Sequence, residues 1–173
     1  AGGSLFVGSQ DGTVYALNAK TGCVRWTFRA TAEVRTAIVV SPWEAGDEQA
    51  SPTIFFGDLL ARAYAVDART GELRWSAKVD DHANATITGS PVLADGKLLV
   101  PISSLEVTSA VDPEYACCTF RGAVMALDAE MAALLVDVRE ALGERLGPQV
   151  PHVQVDVGRA GAGHLLDDGS ADD

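Results

Sequence analysis

The sequence predicts an all-β fold: a partial β-propeller of about two and a half blades of antiparallel strands, with a C-terminal helix and a disordered tail. Two observations carry this. A stretch, Leu5 to Trp26, recurs at an offset of 49 residues as Ile54 to Trp75 and begins again at Gly122. Within each copy, short apolar runs alternate with small or polar residues at the two-residue period of a strand, and no helical spacing occurs before Met131.

The first two copies agree at Phe6/Phe55, Gly8/Gly57, Tyr15/Tyr64, Ala16/Ala65, Ala19/Ala68, Thr21/Thr70, Gly22/Gly71, Arg25/Arg74 and Trp26/Trp75. The third, Gly122 to Glu130, matches Gly12 to Lys20 at five of nine positions. A period near 49 residues holds roughly four strands, the content of one propeller blade. In Thr13-Val14-Tyr15-Ala16-Leu17-Asn18 the alternation reads as a strand. Asn18 or Asp67 then opens a turn closed by Thr-Gly, because an Asx side chain bonds backbone N–H groups two residues on and Gly accepts positive φ. Val24 to Phe28 is again a strand. Trp26 and Trp75, large flat rings at one place per unit, suit a contact between neighbouring blades.

Between the copies, Gln10-Asp11-Gly12 is a hairpin turn, and Leu59-Leu60-Ala61 makes its counterpart less regular. Val34 to Val40 reads as an inner strand, and the proline-bounded loop Ser41 to Pro52 carries Trp43, expected to be pinned to a blade face. Cys23 stands where the second copy has Glu72 and reads as an incidental surface thiol. Asp80-Asp81-His82 offers metal or proton-transfer chemistry on paper, yet with one His in a polar segment it reads as a solvated loop. Ala94 to Lys97 is a turn that opens the third unit. That unit is 12 residues longer than the second, and the extra length falls in Leu105 to Arg121, which contains Cys117-Cys118. Long loops on repeat scaffolds tend to carry function. By spacing alone the adjacent cysteines are either two independent thiols or a strained local bridge.

Three ranges follow: an incomplete propeller over 1–130, a helix outside the repeat over 131–147, and an irregular, disordered tail over 148–173. The helix rests on Met131, Leu134, Leu135, Val138, Leu142 and Leu146 falling near one face, closed by Gly147-Pro148. The repeat demands Thr-Gly at 131–132 and Trp at 136, where the chain has Met131-Ala132 and Val136. A change of reading frame or a gene-end artefact after Glu130 is expected to account for the break, and a small partner-binding helix fused to the blades is the alternative. A closed propeller at this period needs roughly 200 to 400 residues, so the chain is expected to be a fragment lacking its remaining blades. The net charge of −11 argues against nucleic acid, and no run reaches the roughly 18 apolar residues of a membrane helix.

The core Val-Tyr-Ala-Leu-Asn-Ala-Lys-Thr-Gly-x-x-x-Trp resembles the repeat of pyrroloquinoline-quinone (PQQ) type β-propellers. Cys117-Cys118-Thr119-Phe120-Arg121-Gly122 and the preceding Ile87-Thr88-Gly89-Ser90-Pro91 resemble the polyvinyl-alcohol dehydrogenase branch of the PQQ-dependent alcohol dehydrogenases. The resemblance implies a vicinal disulfide, Cys117–Cys118, lying over the quinone plane, Arg121 bonding the reactive carbonyl and Thr88 as a further cofactor contact. It implies Ca²⁺ beside PQQ, with the calcium ligands and the catalytic Asp on later blades outside this chain, so no catalytic or metal-binding residue is assigned here and the chain alone is expected to be inactive. It also implies an alcohol substrate, a cytochrome-type electron acceptor and a periplasmic or extracellular location, since a disulfide needs an oxidising compartment. Non-catalytic scaffold propellers share the same repeat, and a cofactor-free, protein-binding function is the alternative.

Overall fold

The computed structural model describes residues 1–44, 46, 47, 49–130 and 134–137. They form three antiparallel sheets in chain order, each one blade. The first has β1 (Ser4–Gly8), β2 (Thr13–Asn18) and β3 (Val24–Arg29), ordered β1-β2-β3. The second has β4 (Val39–Val40), β5 (Thr53–Gly57), β6 (Arg62–Asp67) and β7 (Leu73–Lys78), ordered β4-β5-β6-β7. The third has β8 (Ala85–Thr86), β9 (Val92–Ala94), β10 (Lys97–Ser104), β11 (Ala123–Asp128) and β12 (Leu134–Asp137), in which β8 and β9 both pair with β10. One short helix, α1 (Glu106–Ser109), lies in the insertion of the third unit.

The repeat in the sequence is a repeat of register. Ala16 faces Trp26 across β2 and β3, and Ala65 faces Trp75 across β6 and β7, each beside a bulge at the next residue. The turn before each Trp strand is the Asx turn that the sequence predicts. Asn18 Oδ1 accepts the N–H groups of Lys20 (2.9 Å) and Thr21 (3.1 Å). Asp67 Oδ1 accepts those of Arg69 (2.8 Å) and Thr70 (2.9 Å). The third unit begins the same way, with Glu130 N–H on Asp128 Oδ1 at 2.9 Å.

Packing is between blades. Ile54, Phe56, Tyr64 and Val66 on one face of the second sheet are buried with Val14 and Val34, and Trp26 and Phe28 pack against them. Phe55, Ala65 and Trp75 on the opposite face are buried with Ile87, Leu98, Val100, Met125 and Leu127 of the third. Every residue of β5 is buried because both of its faces are covered, whereas β1 alternates with one face open. Trp26 and Trp75 each also make a polar contact with the following blade. Trp26 Nε1 donates to the Ala68 carbonyl (3.2 Å) and Trp75 Nε1 to the Ala129 carbonyl (2.9 Å), which are matching positions in successive Asx turns. The Trp26 ring lies so close to Gly71, at φ +80°, that a Cβ there would fall 2.8 Å from it. Gly57 likewise ends its strand where Ile87 of the next blade passes, 2.6 Å from an added Cβ.

Several expectations are corrected. The inner strand expected over Val34 to Val40 shrinks to Val39–Val40, because the Thr36 hydroxyl bonds both the N–H (3.1 Å) and the carbonyl (3.4 Å) of Gly57 in place of a backbone ladder. The irregular turn at Leu59-Leu60-Ala61 is built on Asp58, whose Oδ1 accepts Leu60 N–H (2.9 Å) and Arg62 N–H (3.0 Å), and Ala61 takes the left-handed backbone (φ 54°) that Gly12 takes in the first blade (φ 85°). The helix expected from Met131 is a strand over Leu134–Asp137, hydrogen-bonded to β11 with Val136 opposite Ala126. Val136 therefore holds the Trp register, because the open edge of β11 offers a ladder that outweighs the helical spacing of a few leucines. The rest of that helix and the 148–173 tail lie outside the described residues. Trp43 is half-buried against the first joint, over Gly2 and 5.5 Å from the Arg69 guanidinium. Cys23 is an exposed free thiol.

Trp75, 9% exposed, fills the second joint, so Trp75→Ala is expected to destabilise the chain by about 3–5 kcal/mol in denaturant titration. Burial pushes the Asp67 carboxyl up, but the Arg74 guanidinium at 2.7 Å and the N–H groups of Thr70 and Arg69 outweigh it, leaving its pKa below the ordinary value. A lowered folded pKa means that this stabilisation is complete above the unfolded value of about 4 and is lost as pH falls through the folded one. Acid titration of unfolding should therefore show that loss in the wild type and a flatter profile in Asp67→Asn.

Candidate functional site

The insertion of the third unit leaves the end of β10 and returns to β11. Ser103 pairs with Thr86 on one side of β10, and Ile102 with Ala123 on the other. Thr88, two residues beyond Thr86, therefore runs back toward Pro101, where Gly89 meets the proline ring, whereas Arg121, two before Ala123, lies toward Ser104 on the opposite side of β10. The Thr88 hydroxyl is exposed and 3.0 Å from the Ser103 hydroxyl. One step inward, Ser90 Oγ accepts the Ala37 N–H (3.3 Å), joining the second and third blades.

Cys117 and Cys118 are disulfide-bonded to each other, and both are exposed. Arg121 follows on the same loop, and its exposed guanidinium donates to the carbonyls of Cys118 (3.2 Å) and Phe120 (2.9 Å). Both acceptors are neutral carbonyls of its own loop, so the cation has no carboxylate partner among these contacts. Of the site residues expected from the sequence, Cys117, Cys118 and Arg121 thus share one loop, a sulfur pair with a cation beside it, whereas Thr88 bonds Ser103 on the other side of β10.

The loop is held by a polar cluster with no local signature in the sequence. Glu106, at the start of α1, is 6% exposed. Its Oε1 accepts the Tyr115 hydroxyl (2.9 Å) and the Thr119 N–H (2.8 Å), and its Oε2 accepts the Phe120 N–H (3.2 Å). Burial pushes the Glu106 carboxyl up, but these donors together with His82 outweigh it and hold its pKa below the ordinary carboxylate value. His82 Nδ1 accepts the Asn84 N–H (3.1 Å), which leaves the ring proton on Nε2 facing the Thr119 hydroxyl at 2.9 Å. Asn84 Nδ2 donates to the Tyr115 oxygen (2.8 Å), and Asn84 Oδ1 accepts the Ser109 hydroxyl (3.0 Å). The edge of His82 meets Phe120, ring centres 5.4 Å apart.

His82 is therefore no solvated loop residue: the insertion folds back over it and leaves its side chain 25% exposed. Glu106, Tyr115 and Asn84 escape sequence reasoning because their shared centre is assembled from segments far apart in the chain. A single carboxylate in a polar insertion looks like any surface Glu. A cavity of about 870 Å³ between the second and third blades is lined by Val39, Phe55, Arg74, Leu93, Asp95 and Glu130 among others, and none of the expected site residues reaches it.

The family model described as outer membrane protein assembly factor BamB, built on the PQQ_2 repeat, matches residues 1–115. Two curated proteins named polyvinylalcohol dehydrogenase are similar in sequence. One, from Pseudomonas sp., is 48% identical over 128 residues, covering 74% of this chain and 20% of the relative. The other, from Sphingopyxis sp. (strain 113P3), is 45% identical over 134 residues, covering 78% of this chain and 20% of the relative. The chain thus spans one fifth of the length of these relatives. The solved structure of a quinohemoprotein alcohol dehydrogenase from Pseudomonas putida HK5 superposes with a TM-score of 0.59 at 26% identity, covering 78% of this chain and 19% of that one. Repeat, blade architecture and matched range agree: the chain belongs to the PQQ-type β-propeller repeat family.

Proposed function

We propose that these blades form part of a PQQ-dependent alcohol dehydrogenase of the polyvinyl-alcohol type and that they carry the lid over the cofactor. The observation that carries this reading is the exposed Cys117–Cys118 disulfide with Arg121 beside it on the long insertion. The curated relatives and the quinohemoprotein neighbour support it. When bound, PQQ with Ca²⁺ supplies the two-electron acceptor for a hydride from the alcohol. The residues present suit such a flat, oxygen-rich group. The paired sulfurs offer an uncharged contact surface without a hydrogen-bond donor. Arg121 is permanently charged and presents planar, forked donors, so exchanging its two loop carbonyls for a quinone oxygen that gains electron density is favourable. Thr88 offers one further hydroxyl. Calcium and the proton-accepting carboxylate are assigned to blades outside this chain. So is the face that a cytochrome-type electron acceptor would use.

Two further statements rest on the same reading. Leu5 and Val7, 54% and 40% exposed, hold in the first blade the places that Ile54 and Phe56 hold in the second, where both are fully buried. In a closed wheel a further blade would cover Leu5 and Val7. The disulfide supports a location in an oxidising compartment, the periplasm or outside the cell. No helix among the described residues is long and apolar enough to cross a membrane. The family description favours a second reading, a cofactor-free propeller that binds other proteins.

A chimera separates the two. The segment of the Sphingopyxis sp. relative that matches this chain is replaced by residues 1–130, with the unmodified relative as control. Retained quinone absorbance after addition of PQQ and Ca²⁺, and retained polyvinyl-alcohol-dependent dye reduction, are the expected outcomes. Arg121→Ala in that chimera is expected to lower turnover by about 100-fold, as removal of one charge-stabilising donor does. A chimera that folds and takes up no PQQ leaves the scaffold reading. Independently, mass spectrometry of the non-reduced 173-residue chain should find the peptide holding Cys117 and Cys118 lighter by two hydrogens than its reduced form; two alkylatable thiols there would remove the lid.

A further inference from the structure

Apolar burial anchors the Leu105 to Arg121 insertion at little more than Phe120, which packs partly buried against the core of the second joint. Val107 and Val111 within it are 77% and 82% exposed, and Tyr115 and Phe120 are only partly covered. What it has instead is one buried carboxylate. The three donors to Glu106 belong to Tyr115, two residues before Cys117, and to Thr119 and Phe120, the two residues after Cys118. A single side chain therefore grips the disulfide from both flanks, and the last bond lies next to Arg121. His82 and Asn84, from the segment before β8, brace the same donors through the Thr119 hydroxyl and the Tyr115 oxygen. The carboxylate is satisfied on both oxygens, so it has no spare acceptor demand that a ligand must fill. Its work is internal to the loop.

We propose that Glu106 is the positioning residue of the disulfide lid: its carboxylate preforms the Cys117–Cys118 surface and the Arg121 backbone before any ligand binds. The cofactor side of this proposal rests on the quinone-lid reading, whereas the grip on the loop does not. Glu106→Gln keeps the shape and one acceptor oxygen but turns an NH₂ group toward an N–H donor, so at least one of the three bonds becomes a donor–donor clash. The loop then loosens without loss of volume.

The first arm uses the full chain and needs no cofactor. A dithiothreitol thiolate attacks one sulfur of the Cys117–Cys118 bond, the mixed disulfide forms, and the second dithiothreitol thiol resolves it, leaving two cysteine thiols and cyclic oxidised reagent. Access and orientation of the sulfur govern that rate, so Glu106→Gln is expected to be reduced about tenfold faster than the wild type. The blades should keep their strand circular dichroism and unfolding midpoint. A folded Glu106→Gln chain reduced within about twofold of the wild-type rate overturns the proposal. If Glu106→Gln does not fold, Tyr115→Phe replaces it, since it deletes one donor to Glu106 and leaves that carboxylate its two backbone donors, at the cost of the Asn84 Nδ2 bond to the same hydroxyl; a severalfold acceleration is expected, and none overturns the proposal. The second arm repeats Glu106→Gln in the Sphingopyxis chimera. An apparent PQQ dissociation constant raised about tenfold supports positioning, because loss of preorganisation appears in affinity. An unchanged constant with unchanged turnover overturns it. A parent chimera that binds no PQQ refutes the quinone reading alone, and the reduction arm then decides on Glu106.

Discussion

The indole of one blade seated on the Asx turn of the next is the contact from which the architecture follows. A Trp ring brings a large apolar area and one N–H that cannot be buried without an acceptor. Trp26 finds it at the Ala68 carbonyl and Trp75 at the Ala129 carbonyl, so one spacing serves apolar burial and polar satisfaction together. The other repeated positions are consequences. Gly71 is Gly because the Trp26 ring occupies the space of its Cβ and because the turn needs positive φ there. Asp67 and Asp128 hold the turn so that the following carbonyl points at the indole. Blade pitch is then set, and with it the direction in which the third unit sends its insertion.

That insertion obeys a different physics from its support. The blades gain most from apolar faces covered on both sides, as the wholly buried β5 shows. The insertion has little apolar surface to bury and relies on charge-assisted hydrogen bonds to Glu106. Hydrogen bonds to an ionised carboxylate are stronger than neutral ones, and all three are lost together if the carboxylate is removed. A loop fastened in this way keeps its exposed surface, here two sulfurs and a guanidinium, free for a partner while its backbone stays fixed.

Much of the architecture was legible because it repeats. Residues matching at one offset, with Trp and Thr-Gly in fixed relation, leave few folds open. Legibility failed where a tertiary partner replaced a local one. Val34 to Val40 has strand composition, yet the Thr36 hydroxyl supplies the bonds to Gly57 that a neighbouring strand would. Leu134–Asp137 has helical spacing, yet the edge of β11 draws it into the third sheet with Val136 at the Trp place. His82 sits in a polar run that reads as a loop, and its role appears only once Thr119 is folded above it.

By itself the sequence determined the blade, its turns and the residue pairs that join one blade to the next, because these depend on spacings of a few residues repeated along the chain. It also placed Cys117, Cys118 and Arg121 on the one long insertion. Only the tertiary structure decided that this insertion closes around Glu106 and that Thr88 and Arg121 lie on opposite sides of β10. It alone showed which strand register the chain keeps after Glu130. Periodicity encodes contacts between equivalent positions, whereas a centre built once, from segments near residues 82, 106 and 119, has no period to betray it.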